Sequence, residues 1–246
     1  MSVEFAIYVA VGFLAQLVDG ALGMAFGVIS TSFLLTTGVS PAIASASVHA
    51  AEVVTTGISG LSHLYHRNVD RRMFVRLTVA GMAGGVIGAY LLTGLPEEII
   101  APVVAVYLCA MALLIVYRVV RKIQPKVMAS GIFPLGLGGG FLDAMGGGGW
   151  GPLVVSTLIA RGNSPRHTIG SVNLAEFFVT LSISITFMLT IAPSYFATAA
   201  GLIVGGALAA PLAGYMSKRL PARALMLLVS VVVMSLGVLS LIRLTA

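Results

Sequence analysis

Two glutamates, Glu52 and Glu176, lie deep inside apolar stretches of this chain, each preceded by a glycine run and an aspartate, Asp19 and Asp143. A carboxylate in lipid is costly unless it is paired, protonated or facing water, so such a group reads first as functional. Each glutamate stands 11 residues beyond a Ser-Pro pair, Ser40-Pro41 and Ser164-Pro165. Proline suits the first turn of a helix. At the standard rise the glutamates then lie about 16 Å along, near the bilayer midplane. Their chemistry is either proton carriage or hydrogen bonding to backbone amides of the broken segments.

Helical spacing gives each glutamate polar company. Ser45, His49, Glu52, Thr56 and His63 form one stripe; Asn173, Glu176, Thr180 and Ser184 form another. His49 beside Glu52 favours a proton role in the first stripe, whereas Asn173 in the matching place cannot titrate. Ser47 and Ser171 are candidate donors to an oxyanion, although membrane serines also bond to their own backbone.

The glycine runs are the second chemical feature. Gly146–Gly149 is a poor helix former, so the chain is expected to unwind there. Unwound backbone is tolerated at membrane depth only inside protein or beside a wet cavity. The following half-helices, expected to begin near Met24 and Trp150, would offer N–H groups and a dipole end to an anion. Gly23, Gly27, Gly147, Gly148, Gly149 and Trp150 are therefore candidate substrate contacts with Ser47, His49, Ser171 and Asn173. Asp19, Glu52, Asp143 and Glu176 would couple or organise the site. The competing reading of Gly23/Gly27 and Gly147/Gly151 is close helix packing, to which Gly81, Gly84, Gly85 and Gly88 are assigned outright.

These features occur twice. Residues 19–56 overlie residues 143–180 without a gap at an offset of 124, matching Asp19, Gly23, Gly27, Gly38, Ser40, Pro41, Ser47, Glu52 and Thr56 with identical residues. Residues 1–122 and 123–246 are thus expected to be two repeats of one membrane domain.

Composition sets the surroundings. With 58% hydrophobic and 9% charged residues among 246, the charged surface of a soluble domain is missing. Spanning helices are expected over about 42–65, 73–94, 97–119, 167–190, 195–216 and 222–242, with Gly-broken segments at 3–37 and 129–160. The short gaps leave no room for a nucleotide-binding module. No removable signal peptide is read at the N-terminus. Cys109 stands alone, which excludes an internal disulfide. The net charge of +6 lies in juxtamembrane loops, where it sets topology and meets lipid headgroups, so nucleic acid is not an expected partner.

The basic residues cluster at Arg67/Arg71/Arg72/Arg76, Arg118/Arg121/Lys122/Lys126, Arg161/Arg166 and Lys218/Arg219/Arg223. Eight single crossings would strand five of the 14 Lys and Arg outside. If each Gly-broken segment is re-entrant, all four clusters lie inside and only Arg243 is outside, with the Glu97-Glu98 loop and the Thr36–Ser40 turn. The expected fold is therefore all-α: two inverted repeats, each a Gly-broken helical segment followed by three transmembrane helices, with the site at the midplane.

The doubled Gly-rich segment followed by G-x-S-P, Ser47 or Ser171 in the next helix, and LSHLYHRNVDRR at 61–72 resemble the TauE/SafE family of sulfite and organosulfur-anion exporters, which includes 4-toluene sulfonate uptake permease-like transporters. The second copy departs from the pattern at Pro152 and at Arg166-His167. The resemblance implies a permease of the bacterial cytoplasmic membrane that moves sulfite, sulfonates, thiosulfate or related small anions, driven by protons. The expected partners are that anion, protons and the bilayer, with homo-oligomerisation left open and no cofactor or metal. A passive anion channel is the first rival. An intramembrane enzyme is the second, but no HExxH pair, nucleophile–base set or cofactor motif supports it.

Overall fold

The computed structural model describes residues 3–22, 24–120, 131–192, 195–216 and 222–245. Every regular element among them is helical. The first half contains α1 (Val3–Leu22), α2 (Phe26–Thr36), α3 (Pro41–Tyr65), α4 (Arg71–Gly94) and α5 (Glu97–Val120). The second contains α6 (Ile132–Gly146), α7, a π-helical turn Gly151–Val155 that runs into Ser156–Ala160, then α8 (Pro165–Thr190), α9 (Phe196–Met216) and α10 (Ala222–Thr245).

Local chemistry explains the boundaries. The Ser40 and Ser164 hydroxyls accept from the N–H groups of Ile43 and His167, 3.5 and 3.4 Å away, ahead of prolines that lack the N–H a first turn cannot use. Asp70 does the same for α4, accepting from Met73 N at 2.9 Å. Among the described residues four helices are long and apolar enough to cross a membrane, covering Arg71–Gly94, Glu97–Tyr117, Arg166–Thr190 and Met226–Leu244. Helix α3 has the length, at 25 residues, but carries the polar stripe. By contrast α2 and α6, at 11 and 15 residues, reach only about 16 and 22 Å, short of the hydrocarbon core.

Helix pairing sets the frame of the site. Helix α1 packs on α9 and α6 on α4, while α3 and α8 meet each other; α3 also touches α9, α8 touches α4, and α5 packs on α10. Lipid supplies no hydrophobic drive between helices, so close backbone approach is what holds such pairs. At the α4–α6 contact a Cβ on Gly84 would run into the Leu137 carbonyl, and one on Gly88 into that of Phe141. Gly81 seats the Trp150 ring and Gly85 the Ile183 side chain. Gly12 and Gly205 play the same part between α1 and α9.

Basic groups gather at one end. Arg166 donates to the Asn68 side chain at 2.5 Å and to the His66 carbonyl at 3.2 Å, while the Asp70 N–H donates to the Ser171 hydroxyl at 2.8 Å. The α3–α4 turn therefore rests on the start of α8. At the opposite end, the Arg243 guanidinium donates to the Thr36 carbonyl, and Glu97, Gly38 and Arg243 line a hollow of about 230 Å³. Residues 121, 122, 126, 218 and 219 of the other two clusters lie outside the described residues.

Candidate substrate and coupling site

The two chain breaks are built alike. Asp19 Oδ1 accepts from Ala25 N at 2.6 Å and Phe26 N at 3.1 Å. Asp143 Oδ1 accepts from Gly149 N at 2.7 Å and Trp150 N at 2.9 Å. Each carboxylate reaches over its break and takes the amides that open the next helix, where the positive dipole end favours negative charge. The second break needs glycine for its backbone, because Gly147 and Gly148 have φ of 64° and 149°. The helices after the breaks begin at Phe26 and Gly151, one or two residues later than the sequence suggests. The aspartates hold the amides just before those starts.

The breaks touch. A Cβ on Gly27 would come within 2.5 Å of Gly148 Cα and 2.8 Å of Glu52 Oε1. Thr31 of α2 donates to the Gly147 carbonyl at 2.6 Å, and Ser45 of α3 donates to the Ala144 carbonyl at 2.6 Å. Tyr107 of α5 covers the second break, its ring and hydroxyl filling the space that side chains on Gly146 and Gly149 would need.

His49 joins α3 to Asp143. Its Nδ1 lies 2.7 Å from the Ser45 carbonyl, which only accepts, so Nδ1 carries a hydrogen. Its Nε2 lies 3.3 Å from Asp143 Oδ2. That contact is a hydrogen bond only if one more proton sits between them, on the imidazole or on the carboxyl group. Both residues are buried.

Four carboxylates share one cavity at the contact between the breaks. Asp19, Glu52, Asp143 and Glu176 line it with Phe26, Gly27, Gly148 and Pro152, and its accessible volume is about 10 Å³, room for one water. No Lys or Arg is among its described lining residues. Glu52 lines this cavity, and its Oε2 is buried with no hydrogen-bond partner among the described residues. Oxygen or nitrogen atoms of His49, Glu52 and Asp143 lie within 4.8 Å of one another, a donor set able to hold protons or one small cation.

The remaining candidates lie elsewhere. Ser47 donates to its own helix at Ile43 O, 2.7 Å, and faces Tyr195 O at 3.5 Å. Ser171 donates to His167 O at 2.6 Å and serves the α3–α4 turn. Neither lines the cavity. Asn173 donates to Ile169 O at 3.1 Å and accepts from Ser59 at 3.1 Å, so it does not repeat the His49 contact with an aspartate. Trp150 is fully buried, with Nε1 donating to Val172 O at 3.3 Å, and wedges between α4, α6 and α8. Gly23 lies outside the described residues. Thr31 and Tyr107 escaped the sequence reading because one threonine or tyrosine in an apolar helix carries no local signal of a distant contact.

Removing the imidazole would strand Asp143 Oδ2. His49→Ala is expected to lower stability by about 1–3 kcal/mol, the cost of an orphaned buried acceptor. Thermal unfolding in detergent is the measurement, and His49→Gln should recover part of the loss.

The chain matches the family described as Sulfite exporter TauE/SafE over residues 8–240. It is 37% identical over 226 residues to the "Probable membrane transporter protein YtnM" of Bacillus subtilis (strain 168), covering 88% of this chain and 75% of that protein. No solved structure matches.

Proposed function

Because the chain belongs to the TauE/SafE family of membrane transporters and is a multi-pass protein of the bacterial inner membrane, we propose that it carries a small sulfur-containing oxyanion such as sulfite, a sulfonate or thiosulfate in step with protons. The observation that carries this reading is the convergence of four carboxylates on one small cavity, with His49 set against one of them. An anion entering a cluster of that sign is repelled unless protons enter with it. Coupling then follows from charge balance at the site.

The aspartates refine how the anion is held. The amides of Ala25, Phe26, Gly149 and Trp150 are already taken by the protein's own carboxylates. Substrate and aspartate compete for the same donors, and a proton on the aspartate weakens its claim. His49 Nε2 lies against Asp143 Oδ2, and Glu52 Oε2 has no hydrogen-bond partner among the described residues, so both places are open to a proton.

The proposed frame is two inverted repeats, residues 1–122 and 123–246, with re-entrant breaks. Several observations support it: the matched aspartate caps, the pairing of α1 with α9 as α6 with α4, and the contact of α3 with α9 as α8 with α4. The contact of Arg166 with His66 and Asn68 supports it too, since eight single crossings would hold them apart by the bilayer thickness of about 30 Å. One repeat rocking against the other would expose the midplane to each side in turn. We assign no catalytic role to these residues.

Reconstituted vesicles provide the test. An imposed pH gradient should drive sulfite or thiosulfate against its concentration gradient. Flux that only follows the anion's own gradient, unaffected by collapse of the pH difference, would leave a passive channel instead.

A further inference from the structure

A groove of about 570 Å³ opens between α3, α4 and α8 on the basic end of the molecule. Leu61 and Leu64 of α3, Phe74 of α4 and Phe177 and Phe178 of α8 line it, and Arg71 is its one polar side chain. We infer that this groove is a binding site for an anionic phospholipid of the leaflet on the basic side, with an acyl chain along the phenylalanines and the headgroup phosphate on Arg71.

Depth supports that occupant. The groove begins at Gly57 and reaches the end of α3 at Tyr65, so it runs about 12 Å in from the basic edge at the helical rise. One leaflet's hydrocarbon is about 15 Å deep. Gly57 leaves the inner end open where a side chain would press on the Phe177 ring.

Charge supports it independently. Arg71 is exposed, makes no hydrogen bond or ion pair with another described residue, and stands in the first turn of α4, where the helix dipole disfavours a cation. Arg67, Arg72 and Arg76 are exposed nearby. The nearest acid, Asp70, is held by its cap bond to Met73 N. A phosphate at this position neutralises arginines that have no partner among the described residues, and basic pockets at helix ends are established headgroup sites.

Native mass spectrometry of the full chain in detergent, titrated with phosphatidylglycerol and phosphatidylcholine, tests the assignment. The parent protein should retain one phosphatidylglycerol in preference to phosphatidylcholine. Arg71→Gln should lower that retention about fivefold, the equivalent of about 1 kcal/mol for one basic group at a membrane surface. Leu64→Trp should lower it by filling the groove. Both positions are exposed, and an unchanged Tm for each variant separates lost binding from lost folding. Equal retention of the two lipids, or parental retention by Arg71→Gln, overturns the site. So does a lipid-free dimer that cross-links through cysteines placed at Leu61 and Leu64, since a second copy would then cover the groove.

Discussion

Glu52→Gln is expected to lower the proposed proton-driven uphill flux by about two orders of magnitude while leaving the protein folded. The amide keeps the shape of the carboxylate but cannot take up a proton. About 3 kcal/mol, the upper range for an interaction with a buried charged group, corresponds to that factor. Glu52 lines the cavity with Asp19, Asp143 and Glu176, and its Oε2 is buried without a partner among the described residues. Flux in vesicles with and without a pH gradient reads the effect. A Glu52→Gln protein whose transport keeps its pH dependence removes Glu52 from coupling and leaves that role to the other acids. Loss of all transport together with loss of the folded state would reveal a structural role instead.

Gly148→Ala is expected to be the most destabilising single methyl addition in the described structure. Its φ of 149° is backbone that a side chain rarely adopts, and the added Cβ would run into the Gly27 and Val28 backbone. Backbone strain and overpacking each cost about 1–3 kcal/mol, so a loss of about 3–5 kcal/mol is expected. Neither backbone can yield without moving the start of α2 away from the second break. Gly138→Ala in α6 is the control: nothing lies within 4 Å of the new methyl, and a better helix former gains about 0.5–1 kcal/mol. Thermal unfolding of both variants in detergent decides the matter. A Gly148→Ala protein as stable as its parent would mean that the two breaks do not touch as described.

Much of the site was legible because its signals are local. The offset of 124 placed an aspartate at each break, and both aspartates cap the helix that follows. Ser40-Pro41 and Ser164-Pro165 marked two helix starts through chemistry confined to one turn. Ser47 and Ser171 do not line the cavity, for an equally local reason. Each lies two residues before His49 or Asn173, and residues two apart point to nearly opposite sides of a helix. The face that carries Ser45, His49 and Glu52 therefore turns Ser47 toward Tyr195.

Trp150 and Asn173 needed the fold. Their positions in the repeat match Phe26 and His49, yet Trp150 fills a seat at Gly81 and Asn173 turns to Ser59. Such choices depend on which helix stands opposite, and no spacing within one segment records that.

The sequence by itself determined that the chain lives in lipid, where its helices run and where they break, because each membrane segment must satisfy its own backbone and so writes its length and interruptions into its residues. Tertiary structure alone decided that Gly27 meets Gly148, that His49 reaches Asp143 from another helix, and that four acids distant in the chain share a cavity the size of one water. Those contacts join segments whose local propensities would be the same without them, so only the packing of the helices could select them.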